Sequence, residues 1–139
     1  MDAKKILNPK GWLIGLGILV ILLASGNIAG SEEIAKTSWC EDNIKGNEAA
    51  YEEMWALHIM PLGVMAILTA ITVTGKELAK MALYSPVVLV IILGGMGVLT
   101  NENGYGASTP EGVGLLIPIS MLLATVLTGV AGYMHKDGE

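Results

Sequence analysis

Four apolar segments, residues 12–30, 55–75, 81–100 and 114–134, fill most of this chain, and none contains Asp, Glu, Lys or Arg. Each is about as long as the ~20 residues that a helix needs to cross a ~30 Å hydrocarbon layer. Lipid satisfies no backbone N–H or C=O group, so segments of this kind are helical at membrane depth or closed into a barrel. Barrel strands alternate apolar and polar residues, whereas WLIGLGILVILLA and VVLVIILGGMGVL are apolar on every face. The expected fold is all-α: a polytopic membrane protein with four transmembrane helices in an antiparallel bundle, forming one domain over residues 1–139. The longest polar stretch, the acidic outer loop 31–53, is too short to bury a core of its own.

The lysines set the expected orientation, because cytoplasmic loops of membrane proteins are enriched in basic residues. Lys4, Lys5 and Lys10 precede the first span, Lys76 and Lys80 lie between the second and third, and Lys136 follows the fourth. Only Lys36 and Lys45 fall on the other side, which places both termini in the cytoplasm and the chain in the cell membrane. The basic start, the apolar core and Ala24-Ser25-Gly26 also fit a signal peptide. Its removal would leave three helices and an external N-terminus, so an uncleaved first helix is expected.

All eight basic residues are Lys. Without Arg there is no planar fork for bidentate phosphate or carboxylate recognition. A net charge of −5 with scattered lysines also argues against nucleic-acid binding. The acidic surplus sits in the outer loop, where Glu32, Glu33, Glu41, Asp42, Glu48, Glu52 and Glu53 oppose two lysines. Ser31 before Glu32 and Glu33 predicts an N-cap and a short helix through Ala35. Residues 47–53 are read as the first turns of the second long helix. A tight loop over 75–80 makes the second and third spans antiparallel neighbours, and the Gly- and Pro-containing segment 101–112 is an outer turn. Pro61, deep in the second span, predicts a kink in that helix, whereas Pro86 and Pro118 are read as lying near helix starts.

Small residues recur at four-residue spacing: Gly11 and Gly15, Gly26 and Gly30, Ala66 and Ala70, and Ser120, Ala124, Thr128 and Gly132. Helices in lipid associate through close backbone approach, which such stripes permit. They hold the bundle together internally or receive a partner helix, and both readings stay open. Asn27, close to the outer boundary, is placed to hydrogen-bond across to a neighbour.

His58 is the one titratable side chain near membrane depth. With Met54 on the same helix face and Cys40 on the same side of the membrane, it forms a candidate soft-metal site for copper, or a single axial ligand for a haem or pigment. His135 belongs to the opposite membrane face and cannot join it. The competing assignment is an interfacial histidine beside Tyr51 and Trp55. A single cysteine forms no internal disulfide and no Cys-x-x-Cys motif. Proton- and ion-coupled transporters carry ionisable residues inside their spans, and these spans have none apart from His58. No catalytic residue and no resident cofactor are therefore assigned, and bound lipid is expected. The favoured expectation is a non-catalytic accessory subunit contacting other integral membrane subunits, with a respiratory or membrane oxidase or monooxygenase complex as host. The alternatives are a small homo-oligomeric transporter or channel, and a redox protein built around His58.

Overall fold

The computed structural model describes residues 3–39, 45–103 and 113–138 and, within these, all side chains except those of 93, 96, 97, 99–101, 103 and 113–115. Every regular element among them is a helix: α1 (Ala3–Ile6), α2 (Pro9–Ala29), α3 (Ser31–Ser38), α4 (Glu48–Thr72), α5 (Gly75–Asn103) and α6 (Val113–His135). Among the described residues, three stretches are long and apolar enough to cross a membrane: Ala3–Ala29, Glu48–Thr72 and Leu116–His135. The expected span 81–100 falls on α5 and includes side chains outside the described residues. The outer turn expected over 101–112 lies largely outside them as well.

Local sequence explains the helix boundaries. Asn8 caps α2, its side-chain oxygen accepting from the Lys10 amide at 2.9 Å, and Pro9 occupies the first turn, where a missing N–H costs nothing. Gly30 separates α2 from α3, and its carbonyl accepts from the amides of Glu33 and Ile34. The predicted Ser31 N-cap is thereby corrected. Gly30 holds that position, while the Ser31 hydroxyl is recruited by the Glu53 carboxylate at 2.9 Å. The helix also runs past Ala35 to Ser38.

The expected loop over 75–80 is corrected too, since α5 already begins at Gly75 and the connection is Val73–Thr74 alone. Gly75 has φ +62°, a conformation that favours glycine, and it admits this abrupt reversal. Pro86 consequently lies well inside α5 rather than near its start, and α4 continues through Pro61 as one helix. Glu77, in the first turn of α5, accepts from Lys80 at 2.8 Å. That hydrogen bond holds the Glu77 carboxyl below its ordinary value and raises the Lys80 ammonium.

Two antiparallel pairs, α2–α4 and α5–α6, make the principal interfaces, and α2 against α6 joins them. The second and third long helices are not packed neighbours along their length, contrary to the expectation from their short connection. Ala70 clusters with Leu78 and Ala82 beside the turn, together with Leu13, but α4 and α5 share little else. The reason is visible on α6. A Cβ on Gly132 would collide with backbone atoms of Ala79 and Leu83, and one on Gly129 would lie 2.7 Å from Pro86. This close approach fixes α5 to α6 instead of α4.

The α2–α4 interface works in the same way. A Cβ on Gly17 would stand 2.5 Å from the Gly63 carbonyl oxygen, and one on Gly63 would stand 2.7 Å from the Gly17 carbonyl oxygen. Most enclosed positions are small: Ala24, Ala56, Ala79, Ala82, Ala131 and Thr128 are fully enclosed, and Leu13, Leu16 and Leu78 are the large apolar side chains buried with them. Most large apolar side chains point outward, with Leu22, Val90 and Ile91 exposed by 63%, 68% and 70%. A water-soluble bundle buries its leucines, whereas close-packed small residues inside and branched residues outside suit a lipid surrounding. Asn8, Pro9, Gly75, Leu78, His135 and Gly138 line one crevice of about 180 Å³, so the N-terminal region, the α4–α5 turn and the C-terminal region share one end of the bundle.

Gly17→Ala, Gly63→Ala and Gly132→Ala are expected to destabilise the protein by ~1–3 kcal/mol through overpacking. Gly15→Ala, where a Cβ meets nothing within 4 Å, is expected to be neutral or to stabilise by up to ~1 kcal/mol. Reversible unfolding in mixed detergent micelles measures both. Equal effects at positions 15 and 17 would refute the close approach.

Candidate functional site

At the end opposite the 180 Å³ crevice, α3 folds back onto the first turns of α4 and encloses a polar cluster. The short helix is amphipathic. Ser31 and Ala35 face inward and are buried, while Glu32, Glu33, Lys36 and Thr37 are exposed. Lys36 and Glu33 lie 3.6 Å apart on its outer surface. Gly46 has φ +96°, which turns the chain into α4. The Glu48 carboxylate closes this turn, accepting from the amides of Lys45 and Gly46 at 2.6 and 2.8 Å.

The centre of the cluster is Glu52. It is only 2% exposed and is one of the two largest fully buried side chains among the described residues, with Thr128. Its Oε1 accepts from Trp39 Nε1 at 3.1 Å, and its Oε2 faces Asn27 Nδ2 at 3.4 Å. Three segments therefore converge on one carboxylate: the end of α2, the residue following α3, and the start of α4. The Trp39 ring also rests against Tyr51, with centroids 6.2 Å apart and planes tilted by 38°. Both donors to Glu52 are neutral, and among the described residues no lysine is within ion-pair distance of it. Asn27 Oδ1 is buried without a hydrogen-bond partner.

The expectation that Asn27 bonds across to a neighbouring helix is met, with Glu52 as its partner. The burial of Glu52 is not apparent in the sequence, where it stands as one acidic residue among seven. Its one signal is helical phase. Glu48, Glu52 and Ala56 recur at four-residue spacing on α4, and all three are buried.

The predicted small-residue stripes separate into two groups. Ala70 and Thr128 are buried, Ala66 packs against the Leu13–Ala70–Leu78–Ala82 cluster, and Gly132 makes the tightest contact with α5. The Thr128 hydroxyl donates to the Ala124 carbonyl at 2.7 Å, and that of Ser120 donates to Ile117 at 2.8 Å. Gly30 meets its nearest neighbours at ordinary van der Waals distance. Gly11, Gly15 and Gly26 face outward, and nothing lies within 4 Å of the position a Cβ would take. Gly17 and Gly63, absent from the four-residue stripes, carry the α2–α4 contact.

His58 and Met54 are exposed on α4, and the His58 ring bonds through Nδ1 to the Met54 carbonyl at 2.6 Å. This contact leaves Nε2 directed away from its own backbone. Cys40, the third member of the predicted soft-metal set, lies outside the described residues, as do Glu41 and Asp42. Among the described residues, no group of three His, Cys, Asp or Glu side chains is placed to hold a metal ion.

No family model, curated protein or solved structure matches the chain.

Glu52→Ala is expected to destabilise the protein by ~1–3 kcal/mol for each buried donor it abandons. It also frees α3, so trypsin cleavage at Lys36 and Lys45 is expected to accelerate in the folded, detergent-solubilised protein. Unchanged cleavage kinetics would show that the carboxylate does not pin the cap.

Proposed function

We propose that this chain is a non-catalytic accessory subunit of a larger integral membrane complex, docking through the outer face of α2. The observation that carries this reading is the outward turn of Gly11, Gly15 and Gly26. The bundle uses other glycines for its own contacts, so this face plays no part in closing the fold. A bilayer gives a glycine face no packing advantage over leucine, whereas a partner helix gains close backbone approach there. Leu22, on the same exposed side, supplies a protruding side chain beside the glycines.

In this reading, four helices cross the cell membrane, with α5 as the third span. Both termini and the Val73–Thr74 turn face the cytoplasm, and the α3 cap faces outward. The six lysines at 4, 5, 10, 76, 80 and 136 support that orientation. Lipid covers the exposed branched side chains of α5 and α6. A respiratory or membrane oxidase or monooxygenase assembly is the class of host, and its other integral subunits are the partners.

Extraction in mild detergent is expected to give a native mass well above the 14.6 kDa of the chain. The double substitution Gly15→Leu with Gly26→Leu is expected to release a folded single chain with an unchanged helical spectrum. A native mass of one chain before substitution, or an undiminished assembly after it, would reject the reading. Labelling of Cys40 from outside intact cells by a membrane-impermeant maleimide tests the orientation separately.

A further inference from the structure

We propose that the crevice at the end of the bundle bearing the Val73–Thr74 turn seats the phosphate of an anionic phospholipid, with Lys76, His135 and Asn8 as its partners. The inference rests on the membrane placement proposed above and is independent of any partner subunit.

The two ends of the bundle differ in charge. Among the described residues, Lys4, Lys5, Lys10, Lys76, Lys80 and Lys136 lie at the crevice end against Glu77 and Asp137, while Asp2 and Glu139 lie outside the described residues. At the cap end, Glu32, Glu33, Glu48, Glu52 and Glu53 oppose Lys36 and Lys45. Glu77 is already engaged by Lys80 at 2.8 Å, so the other lysines keep their charge for an external anion. The summed field draws an anion to the crevice end and repels it from the cap.

The crevice itself offers donors. Its volume of about 180 Å³ is far above the ~10–15 Å³ that admits a single water. Asn8, which lines it, accepts from the Lys10 amide through Oδ1 at 2.9 Å, so the NH₂ of its side chain is the part left for a ligand. His135, also in the lining, donates from Nδ1 to the Ala131 carbonyl at 3.0 Å, because a carbonyl only accepts. Nε2 is then the nitrogen that remains, and in its protonated form it is a charge-assisted donor to a phosphate oxygen. Lys76 stands at the rim, its Cβ 3.8 Å from the position a Cβ on Gly138 would take. Its side chain is exposed, and a four-carbon stem lets the ammonium cross the mouth.

The surroundings favour a lipid over a soluble anion. Tyr133 and Tyr84 are exposed on α6 and α5 near this end, and Lys136 Nζ lies 4.1 Å from the centre of the Tyr133 ring. Aromatic and basic side chains of this kind gather at the level of lipid headgroups. Beyond them the exposed branched residues of α5 and α6 give acyl chains an apolar surface, for which a free phosphate has no use. Basic pockets between helices at one membrane face are sites of this class.

The test mixes the full chain, in a neutral detergent, with equal amounts of phosphatidylglycerol and phosphatidylcholine and measures the native mass of the adducts. Both lipids carry phosphate, and only the first has a net negative charge. Saturable binding is expected with a preference of about tenfold for phosphatidylglycerol, and Lys76→Gln is expected to lower its affinity about fivefold. Adding His135→Gln is expected to lower the affinity further, whereas Lys5→Gln, on α1, is expected to have a smaller effect than Lys76→Gln. An unchanged helical spectrum shows that the variants are folded. Equal binding of the two lipids, or equal losses from Lys5→Gln and Lys76→Gln, would overturn the proposal. Displacement of the lipid by excess inorganic phosphate would assign the crevice to a soluble anion and overturn it too.

Discussion

A leucine gains nothing by leaving lipid for the interior of a helical bundle, and this one constraint organises the whole molecule. With transfer out of water no longer available as a driving force, helices are held by dispersion contacts that require their backbones to approach closely. The interior is accordingly built mostly from glycine, alanine and threonine, with Leu13, Leu16 and Leu78 beside them, and most branched residues are left to the surroundings. Thr128 shows how a polar side chain is accommodated there. Its hydroxyl returns to the Ala124 carbonyl of its own helix, so it adds bulk to the interface without an unpaired donor.

The same constraint explains why the two ends of the bundle differ. At the turn end, Leu13, Ala70, Leu78 and Ala82 supply a small apolar cluster where three helices meet. At the other end, the chain leaves α2, reverses at Gly30 and returns to α4 with polar backbone and side chains to satisfy. There, hydrogen bonds replace close packing. Glu52 gathers Trp39 and Asn27, Glu53 takes Ser31, and Glu48 takes the two amides before α4. Three acidic residues that count toward the net charge therefore act chiefly as acceptors for neighbouring donors.

The helical class was legible in the sequence because charge-free runs of spanning length have few alternatives. The Asn27 contact was legible because a lone amide near the end of an apolar run has few ways to be satisfied. Four-residue spacing finds part of the internal packing, through Ala70, Thr128 and Gly132, and misses the glycine contact between α2 and α4. Gly17, Ala24 and Ser31 recur every seven residues, as do Ala56, Gly63 and Ala70, and all six are buried. Seven residues is close to two helical turns, so such positions return to one narrow seam along a long antiparallel contact. Four-residue stripes drift around the helix, and the stripe through Gly11 and Gly15 ends up on the outside. Pairing of α5 with α6 was hidden for another reason, since connection length says where two helices begin and not which neighbour offers the closer approach. Helical phase puts Glu52 on the inward face with Glu48 and Ala56, but what encloses it depends on where α3 lands, which the sequence of residues 31–53 does not specify.

The brevity of Val73–Thr74, set against the sparse contact between the helices it joins, bears on how the protein is made. All the partners of the α2–α4 contact, and every group that secures its polar cap, lie before the turn. The leading hairpin is thus complete in information once translation passes that point, and its seam can close while α5 is still inside the ribosome. The trailing hairpin carries its own seam through Gly129 and Gly132 and meets the leading one chiefly through α6 against α2. Two halves, each closed by its own glycine contact, are thus joined by a connection of two residues.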